Sequence, residues 1–203
     1  MTLIPDLAVI FLVRDPRGMI SSQMRVFRYS KVLGLPTFAP KLCHKMLTDV
    51  NAARELYGKA ASRLRFLRYE DLASDPVEVS RRIYRFLRLD WSPSILATIS
   101  RQTQAESQSD MFRGERRAHG IYGVSRDDSY QAANRWRRSI SWENLVTIEN
   151  ACRDVMQLLG YVTFDSVQEL RNLTLPSRGR FPSEGLLSLS DANSSETEMT
   201  VNI

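Results

Sequence analysis

The sequence predicts an α/β fold in which a parallel sheet is flanked by helices. Three observations predict it. A continuous apolar run at residues 7–13 stops at Arg14-Asp15-Pro16 and gives way to a helical pattern. A second short strand pattern at 64–69 follows a long helical segment. An amphipathic pattern opened by Ser141 closes at Gly160.

The first run, Leu7-Ala8-Val9-Ile10-Phe11-Leu12-Val13, is rich in branched residues. It reads as a strand buried on both faces, as in a parallel sheet. Asp15 is a good helix N-cap and Pro16 suits a first helical turn, so a helix is expected from about 17 to 27. Residues 40–61 read as a long helix with Leu42, Met46, Val50, Ala53 and Tyr57 on one face. Leu64-Arg65-Phe66-Leu67-Arg68-Tyr69 is the second strand, which completes a β-α-β pattern with a long excursion. Glu70-Asp71-Leu72 then turns the chain, and Pro76 and Pro93 each open a further helix. Residues 101–130 read as a polar loop, and 131–138 as a helical turn. The helix after Ser141 carries Leu145, Ile148, Cys152, Val155 and Leu159 on one face. The expected organisation is one domain over 1–175 and a disordered Ser-rich tail over 176–203.

Composition narrows the function. The 203 residues carry Lys+Arg 28 against Asp+Glu 23, a net charge of +5, with a hydrophobic fraction of 43%. That suits a globular domain that binds phosphates, sulfates or acidic sugars. The arginines are spread through the chain and form no basic stripe, so no nucleic-acid partner is expected. Two cysteines, Cys43 and Cys152, and two histidines, His44 and His119, form no ligand cluster, and no metal is expected. The cysteines could form one disulfide or remain two buried thiols, and sequence alone favours the thiols. No targeting or membrane-spanning segment is visible in the sequence, because the apolar run at 7–13 is too short. Two glycosylation triplets, Asn172-Leu173-Thr174 and Asn193-Ser194-Ser195, point weakly to a lumenal protein.

The strand-turn-helix at 9–27 is the strongest chemical signal. Ligands of open α/β sheets bind beyond the carboxyl ends of the strands. A helix N-terminus there suits an anion. Arg14 can grip a phosphate with two parallel hydrogen bonds. Ser22 lies two turns into the helix, with Gly18 between them on what reads as an open face, and Arg25 follows on the same face. The alternative is a capped helix whose Arg14 pairs with a carboxylate such as Asp71. By pattern alone, that structural reading is the commoner one. The second strand would present Tyr69 at the same sheet edge, where its ring could stack on a base. No Gly-x-x-x-x-Gly-Lys-Ser/Thr, Gly-x-Gly-x-x-Gly or Gly-x-Ser-x-Gly motif occurs.

The segment Leu12-Val13-Arg14-Asp15-Pro16-Arg17-Gly18, with Ser22 eight positions after Arg14, resembles the 3′-phosphate-binding element of sulfotransferases. Three later blocks follow in the family's order: Arg68-Tyr69-Glu70-Asp71-Leu72 with Asp75-Pro76, then Gln102-Thr103-Gln104 through Arg126 to Trp136, then 151–161. The wording Val-Arg-Asp-Pro-Arg is similar to Golgi carbohydrate 6-O-sulfotransferases acting on GlcNAc, Gal or GalNAc. The resemblance implies a P-loop-NTPase-like sulfotransferase fold and 3′-phosphoadenosine-5′-phosphosulfate as co-substrate. It implies a glycan acceptor and a Golgi setting. It implies that Arg14, Ser22 and Arg126 bind the 3′-phosphate, that Tyr69 and Thr103 approach the adenine, and that Trp136 packs the fold. The family's phosphosulfate loop, catalytic base and membrane anchor lie upstream of this strand. The expectation is therefore an N-terminally truncated domain with no assigned catalytic base, weak nucleotide binding and little activity. A competing reading is a non-catalytic binder of anionic glycan or nucleic acid.

Overall fold

A computed structural model of the chain describes residues 7–26, 32–60, 63–103 and 128–181. Two strands, β1 (Val9–Val13) and β2 (Leu64–Arg68), pair in parallel with Val9 opposite Leu64 and Val13 opposite Arg68. Between them run α1 (Pro16–Val26) and α2 (Leu35–Ala60). After β2 come α3 (Tyr69–Ser74), α4 (Pro76–Phe86) and α5 (Pro93–Thr103). The last described part holds α6 (Ser129–Asn134), α7 (Trp136–Ser139), α8 (Trp142–Leu158) and α9 (Val167–Arg171). The expected parallel sheet flanked by helices is thus present.

The main core lies on one face of the sheet. Phe66, Ile20, Val50, Leu145, Ile148, Cys152 and Leu159 fill it, with Val9 and Phe11 of β1 against them. The helical periodicity read from α2 and α8 therefore faces the intended side. Cys43 of α2 and Cys152 of α8 are joined by a disulfide across this core. That corrects the expectation of buried thiols. The two helices pack directly on each other, and this brings residues 109 positions apart into bonding range. Pattern reading places both cysteines on apolar faces but cannot measure the distance between the faces.

A smaller cluster covers the other face: Leu67 and Val79 with Ile10, Leu72, Ile83 and Phe86. It stops short of the strand end, and Leu12 is 57% exposed. The expectation of a strand buried on both faces is corrected there, because α4 covers Ile10 and not Leu12.

Local capping follows the residues. The Asp75, Asp128, Ser141 and Ser166 side chains each accept an N–H three residues on. Gly160 closes α8 at φ 72°, a conformation that other residues adopt at a cost. α2 begins five residues before the expected start and continues through Pro40. The burial of Phe38 and Ala39 accompanies that extension and offsets the missing proline N–H. The predicted turn at 70–72 is the short helix α3.

The chain remains packed past residue 175. Phe181 is fully buried, its ring centroid 6.0 Å from that of Phe66, and Tyr161 bridges to Arg178. The domain therefore extends at least to Phe181, beyond the expected boundary. Of the tail expected over 176–203, residues 182–203 lie outside the described residues, as does most of the expected loop, 104–127.

Candidate nucleotide-phosphate site

The strand register builds the site. Val13 and Arg68 are partners at the ends of β1 and β2, so the next residues, Arg14 and Tyr69, emerge side by side. The Arg14 guanidinium carbon lies 4.7 Å from the centroid of the Tyr69 ring, over its face. Such a contact contributes about 0.5–2 kcal/mol, depending on its exposure to water. Arg14 Nε is buried and has no hydrogen-bond partner. Among the described residues, no ion pair reaches Arg14 either. The alternative pairing with Asp71 is absent, because Asp71 accepts from Arg68 Nε at 2.6 Å and from Arg178 Nε.

The turn beneath Arg14 is held from several sides. Asp15 caps α1, its Oδ1 accepting from Arg17 N at 2.9 Å. The Asp15 N–H donates to Glu70 Oε1 at 3.0 Å, and Glu70 Oε2 accepts from Tyr161 Oη at 2.8 Å. Arg17 is fully buried. It donates to Asp15 through Nε and Nη2, to Glu149 at 2.6 Å, and to the carbonyls of Val162 and Ser177. Its guanidinium also lies over the rings of Trp136 and Phe164, at 4.9 and 5.1 Å. A similar anchor, Arg137, donates to the carbonyls of Glu169, Leu170, Asn172 and Leu175, and so fastens the end of α9.

This network perturbs titration. Burial pushes the Glu70 carboxyl up, and the Asp15 charge adds to that. Burial also raises Glu149, with the Arg17 contact working against it. Burial and neighbouring Glu70 carry the Tyr161 hydroxyl well above its usual range. Burial alone would lower Arg17, but Asp15 and Glu149 outweigh it and hold the guanidinium charged.

The other expected ligands fare differently. Ser22 is half-buried on α1 and makes no hydrogen bond to Arg14. The open face expected at Gly18 is corrected: Gly18 is buried, and a Cβ there would stand 2.9 Å from Trp136 Cδ1. Trp136 thus packs the fold, as expected. Arg25 is exposed in the last turn of α1. Thr103 ends α5, and its hydroxyl donates to Ile99 O at 2.8 Å, with no hydrogen bond to Arg14 or Tyr69. Arg126 lies outside the described residues. Sequence reasoning missed Arg17 and Glu70 as the supports of the turn. The available signal was the alternation of charge, Arg14-Asp15-x-Arg17, at the end of a buried strand.

Among the described residues, no group of three His, Cys, Asp or Glu side chains could hold a metal ion. No helix among them is long and apolar enough to cross a membrane.

Residues 1–93 match the model of the sulfotransferase family. Mouse carbohydrate sulfotransferase 4 is 30% identical over 186 residues, covering 84% of this chain and 46% of its own. Zebrafish carbohydrate sulfotransferase 1 is 28% identical, covering 84% and 42%. Human carbohydrate sulfotransferase 3 is 29% identical, covering 87% and 38%. The chain spans less than half the length of these relatives. No solved structure matches it. The strand end that carries Arg14 and Tyr69 lies within the residues that match the sulfotransferase family model, and over most of its length the chain is similar to carbohydrate sulfotransferases.

Proposed function

We propose that this chain carries the 3′-phosphate-binding part of an enzyme that transfers sulfate from 3′-phosphoadenosine-5′-phosphosulfate to a sugar hydroxyl of a glycan, the 6-O position of GlcNAc, Gal or GalNAc. The observation that carries the reading is Arg14: a guanidinium at the carboxyl end of a parallel strand, stacked on Tyr69, with a buried Nε that nothing satisfies. Leaving such a donor unpaired costs about 1–3 kcal/mol. A bound phosphate would recover that cost by accepting its hydrogen bonds.

In this reading Arg14 is the main phosphate ligand, and the α1 amino end and the Ser22 hydroxyl complete the grip. Arg126 adds a second arginine. Tyr69 supports Arg14 with its ring face and borders the adenine, which Thr103 approaches from α5. Asp15, Arg17 and Glu70 hold the turn. They touch no ligand, and they keep Arg14 aimed at the strand end. The co-substrate supplies the sulfuryl group, and no metal takes part. The Cys43–Cys152 disulfide favours an oxidising compartment, in line with a Golgi lumenal setting.

The test is transfer of labelled sulfate to GlcNAc-, Gal- and GalNAc-terminated acceptors, with the sulfated carbon located by NMR. Sulfate on a sugar 6-O, lost with Arg14→Ala, supports the reading. Co-substrate binding that is indifferent to the 3′-phosphate contradicts it.

A further inference from the structure

The Asn172-Leu173-Thr174 triplet lies directly after α9, and both Asn172 and Thr174 are exposed. The backbone there is ordered by its neighbours. Asn172 O accepts from Arg137 Nη2 at 2.8 Å and from Leu175 N at 3.1 Å, and Leu173 O accepts from Tyr130 Oη at 2.7 Å. The Asn172 side chain makes a specific local arrangement. Its Oδ1 accepts from Thr174 N at 3.0 Å and from Thr174 Oγ1 at 2.7 Å. A backbone N–H can only donate, so the atom facing Thr174 is the oxygen and the amide nitrogen points away from it. Among the described residues, no hydrogen bond engages Asn172 Nδ2.

We propose that Asn172 is an N-glycosylation site of this protein. The inference rests on the lumenal part of the function proposed above, because that modification and the Cys43–Cys152 disulfide both belong to the secretory compartment. The donor is an oligosaccharide on a lipid diphosphate. The Asn172 Nδ2–C1 bond forms and the anomeric C–O bond to the diphosphate breaks. The diphosphate leaves with the electron pair, and one amide proton passes to a base of the transferring enzyme. Two hydrogen bonds to Oδ1 withdraw charge from that oxygen and present the nitrogen outward in the folded chain. The attached glycan also stands beside Leu175, 41% exposed, whose N–H is bonded to Asn172 O. A bulky polar group there covers an apolar side chain that is otherwise open to water.

The experiment directs the full chain into the secretory pathway of a eukaryotic host. It maps peptides by mass before and after peptide glycosidase, and it counts free thiols by alkylation. The expected result is a glycan on Asn172, conversion of Asn172 to Asp on release, and loss of the glycan in both Asn172→Gln and Thr174→Ala. The second variant leaves the asparagine in place. An unmodified Asn172 in a chain whose Cys43–Cys152 disulfide has formed overturns the proposal and leaves the enzyme reading standing. An unmodified Asn172 together with free thiols overturns the proposal and the lumenal setting on which it rests. A glycan on Asn193 alone also overturns it.

Discussion

Arg14 and Arg17 stand three residues apart in one turn and live in opposite circumstances. Arg17 is wholly buried, ion-paired to Asp15 and Glu149, bonded to two carbonyls and stacked on two rings. Arg14 is half-buried, rests on one ring and has a buried Nε with no partner. The first arginine is satisfied by the protein, and the second is satisfied by nothing described in it. Both carry the same charge, so the difference lies in what surrounds each. A fold that completes one guanidinium and leaves its neighbour incomplete has the arrangement expected of a support beside a ligand site.

The largest effect should come from removing the support. Arg17→Met keeps much of the volume but strands Asp15 and Glu149 without their cation. Breaking a buried pair from one side costs about 3–5 kcal/mol. Urea unfolding should show that loss, whereas Arg14→Ala should cost less than about 2 kcal/mol, because it removes the Tyr69 contact together with the unpaired buried Nε. Equal losses in the two variants would erase the comparison.

The scaffold beneath both arginines comes next. The Cys43–Cys152 bond closes a loop with a sequence separation of 109. Its reduction, or Cys152→Ala with Cys43→Ala, should cost about 2–4 kcal/mol. Thermal melts with and without reductant measure it.

Glu70 connects the two arginines, because it holds the Asp15 amide between them. Glu70→Ala leaves that N–H and the Tyr161 hydroxyl unpaired, at about 1–3 kcal/mol for each group left buried. Its pH signature is sharper. Glu70 binds its proton more tightly in the folded chain than in the unfolded one. Its contribution is therefore complete below the usual carboxylate value of 4.5 and is lost as pH rises through the raised folded value. The melting temperature should fall with rising pH across that window, and Glu70→Gln should flatten the fall. An unchanged slope in Glu70→Gln would assign the pH dependence elsewhere.

The smallest effect concerns Tyr69. If its ring acts through Arg14, Tyr69→Leu should weaken bisphosphate binding by about twofold to thirtyfold. Tyr69→Phe should weaken it little, and the loss from Tyr69→Leu should vanish in an Arg14→Ala background. A loss that persists in that background would mean that Tyr69 acts on the base directly.

Much of this was legible in the sequence. The β-α-β frame, the Asp15 cap, the Ser141–Gly160 helix and the position of Arg14 at a strand end follow from local patterns, which short-range chemistry fixes. Arg17, Glu70, Tyr161 and Glu149 were not legible as a network, because their partners lie as many as 160 positions apart. The disulfide and the burial of Phe181 are tertiary in the same way. Gly18 shows the reverse error. A glycine on a helix suggested open surface, but its missing Cβ makes room for Trp136.

Whether Arg14 holds a phosphate is tested most directly by isothermal calorimetry of adenosine 3′,5′-bisphosphate against the wild-type chain and Arg14→Ala. A charge-assisted grip of about 1.5–3 kcal/mol predicts affinity lower by about tenfold to a hundredfold in the variant. It also predicts little difference between the two proteins for adenosine 5′-monophosphate. Equal affinity of both proteins for the bisphosphate would contradict the account.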